Sequence, residues 1–387
     1  MSNYSDRIIF FTALVFIIFS VFITYSGFIL PRLIHYWIIH DTNTKDYVKA
    51  FLPLFKDFVI LTVAWLGYWI IVKTTFFRYW KNLPSIVNWS LWITLTVMVI
   101  VVLERFLFHM PFNRWLIGPK HTILVTGLVI TTFFLFLAYQ LAKEKTNWRK
   151  VIFIYFLFVV LLLLQPDKGT TLLLTSVLII GFLFKWKSRW SSYLLGAIFL
   201  LFSIIPIFGI LNTQLLKVQL PESWGYVSVR INNWLDPFND ITGRSFQIAN
   251  SLYALYKGGL FGEGYGFGVR KTYLGGTVHT DFVFGTIGEE LGFVFAAFIF
   301  LLTLLLLLRL IVISFRFRSG FEKYFTLFVA WETFLLAFVN AGMAANLLPT
   351  KGWPYPLISY APFYVVFYIW QLAIIQAFIK RRFYEVF

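Results

Sequence analysis

The chain is expected to be an all-α integral membrane protein with about ten transmembrane helices, and three observations predict this. Of its 387 residues, 59% are hydrophobic and only 13% are charged, where a soluble domain carries about 25% charged residues; mean hydropathy is +0.78. The 47 Phe and 15 Trp are bulky apolar groups that suit lipid contact and, for Trp, the bilayer interface. Apolar stretches near the roughly 20 residues that a spanning helix needs recur along the whole chain. No hydrophilic stretch is long enough to fold separately, so residues 1–387 read as a single polytopic membrane domain.

The stretches are Ile8–Leu30, Phe58–Val72, Ile86–Leu103, Thr122–Leu141, Val151–Leu164, Thr170–Phe184, Tyr193–Leu211, Phe282–Ile313, Phe325–Leu348 and Leu357–Ile379. The first is long for a signal segment and lacks a small-residue cleavage site after it, so it reads as a retained helix. The fifth and sixth are short, which suggests a tilted or partly re-entrant course. Cations set the orientation. Lys73, Arg78 and Lys81, then Lys143, Lys145, Arg149 and Lys150, then Lys185, Lys187 and Arg189, Arg316, Arg318 and Lys323, and Lys380, Arg381 and Arg382 fall on one side. The positive-inside rule then puts both termini in the cytoplasm. The first outer loop, with Arg32, Lys45, Lys49 and Lys56, fits this less well. One large extracellular loop is left, about residues 212–281, between spans 7 and 8.

The formal charge of +16 follows from these cytoplasmic cations beside anionic lipid headgroups, and nucleic acid is not expected as a partner. With no cysteine, disulfides, thiolate catalysis and Cys-ligated metals are excluded. The five His show no metal-ligand spacing.

Several segments carry possible chemistry. Asp281, in His279-Thr280-Asp281-Phe282, opens the eighth span. It reads either as a helix cap or as a carboxylate at the mouth of an outward-facing cavity, able to accept a proton from a substrate hydroxyl. A helix N-terminus lowers a carboxylate pKa, so the second reading requires Asp281 to lie off the helix axis. Glu289 and Glu290 enter the same span and need partners there; Arg270 and Lys271 are the nearest cations in the loop. Asp167 and Lys168 sit in a tight turn, Gln165-Pro166-Asp167-Lys168-Gly169-Thr170, where Pro, Asp and Gly are ordinary, yet both could touch a pyrophosphate. Arg230, Arg244, Lys257, Arg270 and Lys271 make the outer loop cationic, which suits either an anionic lipid pyrophosphate or a membrane-lipid surface. The run Gly258 to Gly268 has glycine at alternate positions. No strand precedes it, so it is not a nucleotide loop; it reads as close backbone packing against the membrane surface or a headgroup, or as a flexible interfacial loop.

Together these segments resemble the SEDS family, the RodA, FtsW and SpoVE proteins of bacteria. The resemblance runs through Gln165-Pro166-Asp167-x-Gly169-Thr170, Trp234-x-Asp236-Pro237, Gln247, Gly258-Gly259-Leu260-x-Gly262-x-Gly264 and His279-Thr280-Asp281-Phe282-x-Phe284. It continues in Gly288-Glu289-Glu290-Leu291-Gly292, Asn340, Leu348-Pro349-Thr350-x-Gly352 and Pro356-Leu357-Ile358-Ser359-Tyr360. It implies a peptidoglycan glycosyltransferase of the bacterial plasma membrane that polymerises lipid II into β-1,4 glycan strands beside a class B penicillin-binding protein. Asp281 matches the family's essential carboxylate. Asp167, Lys168, Arg230, Arg244, Lys257, Arg270, Lys271, His279, Thr280, Glu289 and Glu290 are the candidate substrate-binding residues, with a divalent cation (Mg or Mn) as a candidate helper at the pyrophosphate. A lipid-linked precursor flippase and a non-catalytic activator of the penicillin-binding protein are the alternatives. The chain departs from the family where Leu124-Val125-Thr126-Gly127 replaces Gln-Pro-Ser-Glu, Ile130 a Lys, Leu336 a Gln, and Ala361-Pro362 a Gly-Gly, which marks a divergent member.

Overall fold

In a computed structural model, the structure describes residues 6–26, 44–73, 82–108, 115–116, 123–186, 189–211, 219, 221, 226–270, 273 and 280–384. Ten long helices coincide with the ten apolar stretches: α1 Arg7–Thr24, α2 Thr44–Lys73, α3 Leu83–Leu107, α4 Thr126–Ala142, α5 Trp148–Leu164, α6 Lys168–Trp186, α7 Arg189–Leu211, α10 Val283–Arg316, α11 Gly320–Ala344 and α12 Pro362–Tyr384. Two shorter helices, α8 Tyr226–Leu235 and α9 Phe246–Gly258, lie between α7 and α10. Among the described residues, five helices are each long and apolar enough to cross a membrane: α3, α6, α10, α11 and the Phe363–Arg381 part of α12. The only β-structure among the described residues is a two-residue antiparallel ladder, Trp115–Leu116 with Ile123–Leu124.

Several boundaries differ from expectation. α1 ends near Thr24 and residues 27–43 lie outside the described ones, whereas α2 starts at Thr44, well before Phe58, so it carries Lys45, Lys49 and Lys56 within a helix. Polar residues add turns to a helix end wherever water or headgroups solvate them, which apolar counting does not register. α6, read from its apolar stretch as short, is a helix of 19 residues, long enough to cross a membrane.

α4 and α11 form the centre. α4 packs against α3, α6, α11 and α12, and α10 against α1, α9 and α11. Around them Trp89, Trp92, Phe153 and Leu301 are more than 60% exposed, an outer surface that only lipid would cover well. Inside, helices are joined by side-chain hydrogen bonds, as expected where apolar surface alone gives no drive for association. Thr94 and Thr132 hydroxyls are 2.8 Å apart, Gln371 Nε2 donates to Thr131 Oγ1 at 2.9 Å, and Trp331 Nε1 donates to Ser176 Oγ at 2.9 Å.

At the end of the bundle remote from Asp281, cations cap helix carbonyls. Lys185 Nζ donates to Leu141 O and Lys143 O at 2.9 and 2.7 Å, and Lys380 Nζ to Val72 O at 3.2 Å. Asp6 there caps α1, accepting from the amides of Ile8 and Ile9, and pairs with Arg309 Nη2 at 2.6 Å. We expect Asp6→Ala to cost about 1–3 kcal/mol, because it removes a helix cap and leaves a mostly buried cation without its partner. A melting temperature in detergent equal to that of the wild type would refute this.

Candidate functional site

A cavity of about 560 Å³ opens between α4, α6, α8, α11, α12 and the segment before α12. Asp281, Asp167, Lys168, Arg230 and Lys351 line it, together with Thr126, Trp353 and Tyr364. Four of these, Asp281, Asp167, Lys168 and Arg230, are among the residues singled out from the sequence.

Asp281 does not cap the helix that follows it. The N-cap of α10 is Phe282, with no side-chain cap hydrogen bond, so Asp281 lies one residue outside the helix and lines the cavity. Its backbone is held from two sides. Asn340 Nδ2 on α11 donates to Asp281 O at 2.9 Å and to Trp353 O at 2.7 Å, and Ser359 Oγ donates to the preceding carbonyl, Thr280 O, at 2.6 Å. Gly352 presses against the carboxylate: at its φ of +66°, a Cβ would lie 2.9 Å from Asp281 Oδ2.

Asp167 is 5% exposed and does cap its helix. Its Oδ1 accepts from the Thr170 amide at 3.1 Å, and its Oδ2 from Thr170 Oγ1 at 2.7 Å and Thr126 Oγ1 at 3.4 Å. With both oxygens so used, Asp167 acts on the cavity wall as a fixed negative charge. Across the cavity, Arg230 Nη1 donates to Thr350 O at 2.5 Å, which ties α8 to the segment bearing Lys351. Three cations, Lys168, Arg230 and Lys351, therefore face two carboxylates.

The other candidates stand elsewhere. Glu289 and Glu290 are buried away from the cavity and hold structure together. Glu289 Oε1 accepts from the Arg270 amide at 2.7 Å, and both Glu290 oxygens accept from Ser26 Oγ, at 2.5 and 2.6 Å. Lys257 pairs with Glu263 at 3.2 Å. The Arg270 guanidinium lies over the Tyr253 and Tyr273 rings, 5.0 and 5.7 Å from their centroids. Arg244 lines a second, separate cavity. Lys271 and His279 lie outside the described residues.

The backbone of the glycine run packs against α10. α10 is interrupted at Gly292 (φ 79°, ψ 175°), which frees carbonyls that the loop then satisfies. Glu263 N donates to Glu289 O at 2.9 Å and Gly264 N to Glu290 O at 3.0 Å, while Phe293 N and Val294 N donate back to Gly259 O and Leu260 O at 2.9 and 3.1 Å. Burial beside this seam and the Glu290 charge push the Tyr265 hydroxyl up to about 12; that hydroxyl donates to Phe22 O at 2.6 Å.

Sequence reading did not single out Lys351, Trp353, Tyr364 or Thr126 for the site. Lys351 occupies the unassigned position of Leu348-Pro349-Thr350-x-Gly352, where a cation between Thr and Gly was the available signal. Tyr364 gave none: its ring lines the cavity while its hydroxyl turns into the bundle, donating to Glu332 Oε1 at 2.7 Å.

Lipid-facing helices around a charged chamber define a polytopic α-helical membrane protein with its largest described group of cavity charges near one end of the bundle. The chain belongs to the FtsW/RodA/SpoVE family: the family model FTSW_RODA_SPOVE, described as Cell cycle protein, matches residues 7–381. It is 39% identical over 202 residues to the probable peptidoglycan glycosyltransferase FtsW of Pasteurella multocida, an alignment covering 51% of this chain and 48% of that protein. To the probable peptidoglycan glycosyltransferase FtsW of Geobacter sp. it is 31% identical over 255 residues, covering 64% of this chain and 66% of that one. The matches thus span about half to two thirds of these relatives' length. Among solved structures, a chain of a peptidoglycan synthase complex that coordinates polymerization and crosslinking aligns with a TM-score of 0.67 at 19% identity. The Rod shape determining protein RodA of Thermus thermophilus aligns at 0.60 and 18% identity. Both alignments cover 98% of each chain, so the whole fold is shared.

Proposed function

We propose that the chain is a peptidoglycan glycosyltransferase that polymerises lipid II, with Asp281 as the general base. The observation that carries this reading is a carboxylate held by its backbone at the wall of a chamber that also presents Lys168, Arg230 and Lys351. Asp281 takes the proton from the 4-hydroxyl of the acceptor N-acetylglucosamine. That oxygen bonds to the anomeric carbon of the donor N-acetylmuramic acid from the opposite face, and the carbon–oxygen bond to the pyrophosphate breaks. The electron pair departs with undecaprenyl pyrophosphate, whose charge the three cations stabilise. The linkage formed is β-1,4.

On this reading the basic end of the bundle faces the cytoplasm with both termini, and the Asp281 end faces outward. A class B penicillin-binding protein would crosslink the product, and the lipid chains of the substrate would stay in the surrounding bilayer. A Mg or Mn ion stays a candidate helper at the pyrophosphate: among the described residues no group of three or more His, Asp or Glu could hold one unaided, but such an ion is ordinarily shared between one or two carboxylates and the substrate's own phosphates, and Asp281 and Asp167 line the cavity.

The test is polymerisation of labelled lipid II by the purified full chain, with and without its penicillin-binding partner. Glycan strands from the wild type are expected. A protein that stays inert while still binding its partner would favour the activator reading, which one feature supports: Ile130 and Leu336 make part of the cavity wall apolar where the resemblance leads one to expect polar groups. A further expectation concerns Gly352. An alanine there would adopt a left-handed conformation costing about 1–2 kcal/mol and would displace the carboxylate beside it, so turnover should fall roughly 10²-fold with the protein still folded. Full activity of Gly352→Ala would show that the Asp281 position is not critical.

A further inference from the structure

The second cavity, about 470 Å³, lies on the other side of α8 from the Asp281 chamber. Val229, Asn232, Asn233 and Asp236 share one stripe of α8 and its C-terminal extension, following the i, i+3, i+4, i+7 rule, and line this second space, while Arg230 reaches the chamber with Asp281. The facing wall is the turn from Asn239 to Ser245. That turn is built rather than slack: Asp240 Oδ2 accepts from the Arg244 amide at 2.8 Å, and Asn233 Nδ2 donates to Arg244 O at 2.6 Å, which fastens the turn to α8. The lining is amide, carboxylate, hydroxyl and guanidinium groups, with Val229 the apolar exception among the described residues.

We propose that this cavity is a saccharide subsite that holds the glycan strand one helix width away from the reacting sugars. The identification of the sugar rests on the transferase reading above. Side-chain amides present donors and acceptors together, as sugar hydroxyls and N-acetyl groups do, so Asn232, Asn233 and Asn239 match a carbohydrate better than an apolar chain. The volume lies within the range of organic-ligand sites, about 300–1,000 Å³, and is far larger than one ion needs. Of its two carboxylates, Asp240 is already spent on the turn. A helix with its side chains is about 10–12 Å across, comparable to the repeating disaccharide, so a strand lying over α8 would place one sugar pair in each cavity. A polymerase that keeps hold of its strand between additions needs such a second grip.

The experiment measures binding of a soluble tetrasaccharide of alternating N-acetylglucosamine and N-acetylmuramic acid to the full chain in detergent, and the length of the polymer it makes from lipid II. Asn239→Ala, at an exposed position that does not threaten folding, and Asn232→Ala should each weaken tetrasaccharide binding about fivefold, one hydrogen bond's worth, and shorten the polymer. Wild-type affinity and polymer length in both variants would overturn the subsite. So would Mn binding that both variants lose while tetrasaccharide binding is retained, since that would make the cavity an ion site. A wild type that binds the tetrasaccharide through Asn239 but makes no polymer would leave the subsite standing and refute the transferase reading instead.

Discussion

Asp281→Asn should slow lipid II polymerisation by roughly 10²–10⁴-fold relative to the wild type, with folding unchanged. The amide has the same shape as the carboxylate but cannot take a proton, so the variant isolates the base from the geometry. Backbone contacts from its own carbonyl and that of Thr280 to Asn340 and Ser359 help fix residue 281, and these do not change in the variant. The capping reading predicts the opposite outcome, a small loss of stability and normal glycan chains; the assignment of Phe282 as N-cap argues against it. Normal polymer from purified Asp281→Asn protein would remove the mechanism.

Gly292→Ala should be the most damaging substitution remote from the cavity. Its φ and ψ, 79° and 175°, fall in a region open essentially to glycine alone, where a side chain costs about 1–3 kcal/mol. A Cβ would also meet the backbone of Leu260, Phe261 and Gly262, which cannot swing aside as a side chain could. Overpacking of that kind adds about 1–3 kcal/mol. The four backbone hydrogen bonds across the seam would be lost or stretched together. Because the segment from Asp281 to Gly292 hangs between this seam and Asn340, lowered stability should come with lost polymerisation, although Gly292 touches no substrate. A Gly292→Ala protein that melts and polymerises like the wild type would show that the break in α10 is not needed.

Much of the fold was legible because membrane helices announce themselves one at a time. Each apolar stretch must satisfy its own backbone hydrogen bonds in lipid, so composition along the chain locates all ten long helices without knowledge of their neighbours. Legibility failed where water or protein, not lipid, surrounds the backbone: α2 begins fourteen residues before its apolar stretch, at Thr44 rather than Phe58, and the break at Gly292, just after Glu289 and Glu290, lies inside one continuous candidate span. The site divided in the same manner. Asp281, Asp167, Lys168 and Arg230 were visible as charges in segments between or at the ends of apolar stretches, whereas Glu289 and Glu290, equally conspicuous as charges, turned out to be anchors for Arg270 and Ser26.

By itself, then, the sequence determined that this is a membrane bundle, which stretches form it, and which charged residues are too costly to lie in lipid without a reason. The tertiary structure alone decided which of those charges share a chamber. Lys351 shares a chamber with Asp281 because Asn340 joins residues 281 and 353 across 59 and 13 positions of chain, and Arg244 lines a different cavity because α8 stands between the two. Burial in lipid is a property of each segment, but convergence on a cavity is a property of how segments cross, and no local pattern of residues encodes that.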